Sequence, residues 1–103
     1  MKSDGRLLLD AWCAGIGGDW ATIPSGSDRY RLVRGSSHVL YCYDNEDSIS
    51  VFVEGLTSEE AQSIAHFGDS LHGYDALRRG IRLAVSPDSL VSLLHWVREQ
   101  YRD

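Results

Sequence analysis

The densest pattern in the chain runs from 30 to 54. Segments 30–34, 38–43 and 49–54 are filled by Tyr, Val, Leu, Ile and Phe, residues that suit a pleated, half-buried surface. Gly35-Ser36-Ser37 and Asp44-Asn45-Glu46-Asp47 separate them with turn chemistry. The pattern predicts an antiparallel three-stranded meander. Side chains alternate along a strand, so the register decides which set enters the core. A three-residue turn pairs Arg34 with His38 and Leu32 with Leu40. A four-residue turn at 44–47 pairs Tyr43 with Ser48, Cys42 with Ile49 and Leu40 with Val51. The two registers agree, and they send Tyr30, Leu32, Leu40, Cys42, Ile49, Val51 and Val53 to one face, the expected core side. The other face carries Arg31, Val33, Val39, Tyr41, Tyr43, Ser48, Ser50, Phe52 and Glu54. Two expectations compete for this mixed face. Either a helix or loop partly covers it, or an exposed aromatic patch around Tyr41 and Phe52 binds a partner.

Helical spacing brackets the meander. Ser3-Asp4 can cap a first helix whose stripe is Leu7, Leu8, Ala11 and Trp12, and Gly15 to Gly18 should end it. That glycine run closes a helix instead of opening one, the wrong context for a phosphate cradle. Residues 19–28 read as a connector, with Trp20 and Ile23 pinned to the core and a turn at 24–27. Thr57 and Glu60 have the spacing of a capping box, opening a helix to about Phe67 that buries Ala61, Ile64 and Ala65. Gly68 is a candidate interruption, with Leu71 continuing the apolar side, and 74–79 reads as a short helical turn. Ile81, Leu83 and Val85 alternate with Arg82 and Ala84, which predicts a fourth strand at one sheet edge. Ser86-Pro87-Asp88 is a helix start, and Leu90, Leu93, Leu94, Val97 and Tyr101 lie within about a 100° arc of the helix that follows. The whole predicts one two-layer α+β domain over 1–103, in the order α-β-β-β-α-β-α.

Composition adds limits. The chain has 103 residues, of which 43% are apolar and 24% charged, ordinary for one globular domain. No apolar run is long enough to span a bilayer and Leu7-Leu8-Leu9 is too short for a secretion signal, so a cytosolic chain is expected. Cys13 and Cys42 fit no metal spacing and are expected to be reduced and buried.

Catalytic patterns are weak. His38, Cys42 and Asp44 share strand parity, but positions four apart on a strand lie about 13 Å apart, beyond hydrogen-bond reach. His66 and Asp69 have no third ligand at metal spacing, and His72 and His95 are expected to be solvated. No cofactor or metal is expected, and the chain is not expected to be an enzyme.

Charge is the one irregularity. Between Gly35 and Leu77 there is no Lys or Arg, while Asp44, Glu46, Asp47, Glu54, Glu59, Glu60, Asp69 and Asp75 all fall there. The net charge of -5 arises wholly in this block. Turn and helix-start chemistry accounts for several of these acids. The functional reading is an acidic surface with aromatic anchors, built from Tyr41, Tyr43, Asp44, Glu46, Asp47, Glu54, Glu59 and Glu60, that meets a basic protein. That predicts an immunity protein or antitoxin neutralising a basic, nucleic-acid-active toxin. The alternatives are a phage-encoded inhibitor of a nucleic-acid-binding defence complex, a secretion chaperone, or a small-ligand or enzyme domain with a pocket near His72, Tyr74 and Arg78. Direct nucleic-acid binding is not expected without a basic stripe. The arginines form two groups, Arg29/Arg31/Arg34 and Arg78/Arg79/Arg82, which would touch if the fourth strand lay beside the first.

Overall fold

In the computed structural model, residues 4–26, 29–70 and 73–100 are described. In chain order they form α1 (Gly5–Ile16), β1 (Trp20–Pro24), β2 (Arg29–Arg34), β3 (Ser37–Asp44), β4 (Ile49–Val53), α2 (Ser58–Ile64) with a 3₁₀ turn (Ala65–Phe67), β5 (Asp69–Ser70), β6 (Ile81–Val85) and α3 (Pro87–Gln100). The strands make one antiparallel sheet in the order β1-β2-β3-β4-β6-β5. The architecture is α+β, as the hydrophobic pattern requires, with two more strands than the meander and its fourth partner supply.

All seven side chains assigned to the core face are buried there: Tyr30, Leu32, Leu40, Cys42, Ile49, Val51 and Val53. The helices cover this face with Leu9, Cys13, Ala61, Ile64, Leu90, Leu93, Leu94 and Val97. Each fully buried leucine contributes about 1.5–3 kcal/mol of transfer free energy. The β3–β4 register differs from the expected one by two residues. Cys42 pairs with Val51 and Leu40 with Val53, because the turn closes one residue later, through the Asn45 N–H to Ser48 carbonyl bond of 2.9 Å. A slip of two preserves the alternation, so the faces survive the error.

At the other end of β3 a bulge does change a face. Leu32 pairs with Leu40, yet Val33 pairs with His38 and Arg34 with Ser37. Val39 is the extra residue, and it joins Leu40 in the core instead of lying on the opposite face as expected. His38 is thereby turned to the opposite face, beside Tyr41 at 4.0 Å between ring centroids.

Three local expectations are corrected. Residues 20–24 are an edge strand and not part of a connector. Trp20 stays on the core side, edge-on to Trp12 at 5.3 Å, while Ile23 is exposed on the far face. Pro24 is tolerated because it ends an edge strand. In α1 the buried line is Gly5, Leu9 and Cys13, flanked by Leu8 and Trp12, while Leu7 is 66% exposed. The rotation follows from Gly5, which abuts Tyr30 and Asp44 so closely that any Cβ there would overlap the Tyr30 hydroxyl. Residues 75–80 form a closed turn and not a helical one: the Asp75 and Gly80 N–H groups each donate to the other's carbonyl, at 2.8 and 3.1 Å. Ser3, Ser27, Leu71, His72 and Tyr101 lie outside the described residues.

Other expectations hold in detail. Gly17, with φ +74°, caps α1 by donating to the Cys13 carbonyl at 2.9 Å. Thr57 and Glu60 make both capping-box bonds, at 2.9 and 3.2 Å. Ser86 Oγ accepts the Ser89 N–H at 3.2 Å and starts α3. β6 lies beside β4, with β5 on its outer side. Among the described residues no helix is long and apolar enough to cross a membrane.

Candidate functional site

The helices leave one sheet face bare. Strand parity and pairing place Arg29, Arg31, Tyr41, Tyr43, Ser50, Phe52 and Arg82 on it. Arg29 stands opposite Tyr43, Arg31 opposite Tyr41, Tyr41 opposite Phe52, and Phe52 opposite Arg82. A groove of about 550 Å³ opens here, lined by Arg29, Tyr41, Tyr43, Asn45, Ser50, Phe52, Arg78 and Arg82. It spans four strands, about 14 Å at the usual inter-strand spacing. Arg29 stands at one flank and Arg78 with Arg82 at the other.

The 75–80 turn supplies Arg78. Asp75 Oδ1 accepts the Leu77 and Arg78 N–H groups at 3.0 Å each, which fixes the turn. Gly80 brings it onto the sheet, where a Cβ would press on the Val53 carbonyl and the Phe52 ring. The Arg78 guanidinium therefore sits 4.2 Å from the Phe52 ring centroid, and that of Arg82 lies 5.5 Å from the same ring. Both geometries are cation–π contacts. Phe52 is only 6% exposed beneath them, so part of the expected aromatic patch is covered by a loop, while Tyr41 and Tyr43 remain half-exposed.

Charge on this face is unbalanced. Arg78 Nη2 reaches Glu54 Oε1 at 3.4 Å. Among the described residues Arg29, Arg31 and Arg82 have no carboxylate within 4.0 Å. Arg31 Nε is also buried without a hydrogen-bond acceptor among those residues. Among the described residues Glu54 and Asp69 are acids at the margins of this face, and Glu46 and Asp47 follow Asn45 on the turn at one end. His38 Nε2 lies 3.5 Å from Glu54 Oε1, near enough for charge attraction but without an aligned hydrogen bond. Burial holds the His38 pKa below the usual histidine value, against the attraction of Glu54 and aided by Arg31 and Arg78.

The eight residues proposed from sequence do not form one patch. Tyr41 and Tyr43 line the groove. Asp44 points to the helix side, where its Oδ1 accepts the Tyr30 hydroxyl at 2.7 Å and the Gly5 N–H at 3.2 Å. It thereby does the capping expected of Asp4, whose side chain makes no cap bond. Burial and the Asp44 bond push the Tyr30 pKa upward and keep the phenol protonated. Glu54 is shared between His38 and Arg78, and Glu60 closes its capping box. Glu46 and Asp47 are exposed at the β3–β4 turn, and Glu59 is exposed at the start of α2. β4 separates these two acidic groups by about 17 Å.

The arginines were the missed residues. The condition expected for their meeting fails, since β6 pairs with β4 and not with β2. Members of both groups share a face all the same: alternation with core residues puts Arg29, Arg31 and Arg82 on the open side of one sheet, whereas Arg34 has the opposite parity and lies 3.8 Å from Asp19. Parity carried that signal: Arg29 and Arg31 flank core Tyr30, and Arg82 sits between core Ile81 and Leu83.

Other candidates separate. His38 and Cys42 lie on opposite faces, and burial pushes the Cys42 thiol pKa upward. Tyr74, offered for a pocket between the layers, donates its hydroxyl to the Leu56 carbonyl at 2.6 Å. Among the described residues no three His, Cys, Asp or Glu gather as a metal site. Comparison of the chain with protein-family models, curated proteins and solved structures gives no match.

Proposed function

We propose that this protein works by binding and not by catalysis, and that its working surface is the helix-free face of the sheet, which takes the anionic group of a partner. One observation carries this reading: guanidinium groups from β2, β6 and the 75–80 turn surround a single groove, and Arg29 and Arg82 have no carboxylate within 4.0 Å among the described residues. Arginine in a partly desolvated groove is suited to carboxylate and phosphate, which it meets with paired N–H donors. The test is an NMR titration of the ¹⁵N-labelled protein with pyrophosphate at low salt. Amides of Arg29, Tyr41, Ser50 and Arg82 should shift, and the double variant Arg29→Glu/Arg82→Glu should abolish the response. Absence of any groove shift would remove the reading.

A second reading is favoured by the exposure of Glu46, Asp47 and Glu59. These acids suit an inhibitor of a basic, nucleic-acid-active protein, such as an immunity protein, an antitoxin or an inhibitor of a defence complex. The reading rests on the exposure of these three acids; Asp44, Glu54 and Glu60 are less exposed and make bonds within the fold. Reversing Glu46 and Asp47 to Lys should slow association with a basic protein partner and flatten its salt dependence. An unchanged rate and slope would remove it. A chaperone role would be favoured by an open apolar face and a dimer; arginine among the groove's lining residues gives it less support.

A further inference from the structure

We infer that the groove is a nucleotide site, with phosphate held at the Arg78/Arg82 flank and a planar base laid over Tyr41 and Tyr43. The inference rests on the anion-binding reading and adds to it the identity of the ligand. Two guanidinium groups share one ring, at 4.2 and 5.5 Å from the Phe52 centroid, and only that of Arg78 has a carboxylate beside it among the described residues. Like charges over one ring repel, and an anion placed between them removes the repulsion while accepting from both. A phosphate has the charge and the several acceptor oxygens to do so.

The rest of the groove is not built for a bare anion. Tyr41 and Tyr43 stand two residues apart on β3, so they share a face at a spacing of about 7 Å along the strand. Half-exposed aromatic rings on a sheet are stacking platforms for bases, as is the plane of a guanidinium such as that of Arg29. Asn45 Nδ2 donates to Ser50 Oγ at 2.7 Å. That bond leaves the Asn45 carbonyl oxygen as an acceptor and the Ser50 hydroxyl as a donor for a base edge or a ribose. From the Tyr43 end to the Phe52 end is one diagonal step across the ladder, about 7–8 Å, a span one nucleoside covers. The volume of about 550 Å³ lies in the range of small-ligand sites. A long polyanion is disfavoured, since the chain carries a net charge of -5 and Glu46 and Asp47 are exposed on the turn that follows β3. The ligand is therefore a free nucleotide or the end of a strand.

The test titrates the full ¹⁵N-labelled chain with adenosine 5′-monophosphate, adenosine, inorganic phosphate, a single-stranded hexanucleotide and a hexaglutamate peptide. The monophosphate should shift the amides of Arg29, Tyr41, Tyr43, Ser50 and Arg82 and bind at least about tenfold tighter than adenosine or phosphate alone. Arg82→Gln should weaken it about tenfold. Tyr43→Leu should weaken it as well, whereas Tyr43→Phe, which keeps the ring, should not. Tighter binding of the hexanucleotide assigns the site to a strand end, and equal or weaker binding to a free nucleotide. Phosphate binding as tightly as the monophosphate, or hexaglutamate displacing the monophosphate from the groove, overturns the nucleotide and leaves the anion reading standing. If no ligand moves the groove amides, both fall.

Discussion

The two faces of the sheet are made by the same strands and obey different rules. The covered face is a continuous apolar layer from Tyr30 to Val85, closed by three helices. Outside the bulge at Val39 the open face alternates with it, residue by residue, and carries arginine, tyrosine and serine. Apolar burial is non-directional, so the covered face needs only the right parity and volume. The open face depends on where single charges stand. Its one deeply buried ring, Phe52, is sheltered by two arginines and not by a helix. The difference teaches that the stabilising layer and the surface proposed for recognition are separated by a period of two along the chain.

Substitutions should expose that separation. Leu40 is 0% exposed in the middle of the covered face, and Leu40→Ala should cost about 2–5 kcal/mol in chemical denaturation. Arg82→Ala, one strand face away, should cost no more than about 1 kcal/mol, the value of its ring contact. Equal losses would show that the open face is structural, and the comparison would break. Asp44 gives the next largest effect. It is an acid by sequence, but it ties the N-terminus of α1 to the β2–β3 pair through Gly5 and Tyr30. Asp44→Ala should cost about 1.5–3 kcal/mol, the range for a hydrogen bond to a charged group, and Tyr30→Phe part of that. Glu46→Gln and Asp47→Asn, on the same turn but exposed, should change stability by less than about 0.5 kcal/mol. If Asp44→Ala were as mild as these, Asp44 would belong to the surface after all.

The covered face was legible because strand parity survives errors of register. The β3–β4 pairing slips by two residues from the expected turn, yet Leu40, Cys42, Ile49, Val51 and Val53 all reach the core. A bulge breaks parity, and nothing in the sequence marks Val39 as the extra residue, so Val39 and His38 exchange faces. β1 was illegible for another reason. Trp20 to Pro24 reads as a loop because it ends in proline, and its place in the sheet depends on β2 being there to pair with it. Tyr41 and Tyr43 reach the open face as alternation alone requires. The arginines were visible in the sequence, but the arrangement considered for them, β6 beside β2, is not the one the sheet adopts. A shared face is enough for long side chains, even with two strands between. The acids failed as one group because carboxylates near each other in sequence serve unrelated tasks: a helix cap, an ion pair and a capping box.

The smallest effect tests the boundary between the faces. His38 is half-buried on the open side, beside Tyr41 and Glu54, with Arg31 and Arg78 nearby. Its pKa in the folded chain is lowered, first by burial, so the unfolded chain binds the proton more readily. Stability from the neutral ring is therefore complete above the unfolded value of about 6.5 and declines as pH falls below it, until the folded histidine is itself protonated. The direction is opposite to that expected if the Glu54 pairing dominated, which would raise the pKa and make the fold more stable on the acid side. Denaturation midpoints between pH 5 and 8, measured for the native chain and for His38→Gln, separate the two. The native chain should lose stability relative to the variant as pH drops through this window. A relative gain would mean that Glu54 governs His38. The edge of the open face would then be held by an ion pair, in contrast to Arg29 and Arg82 in the groove.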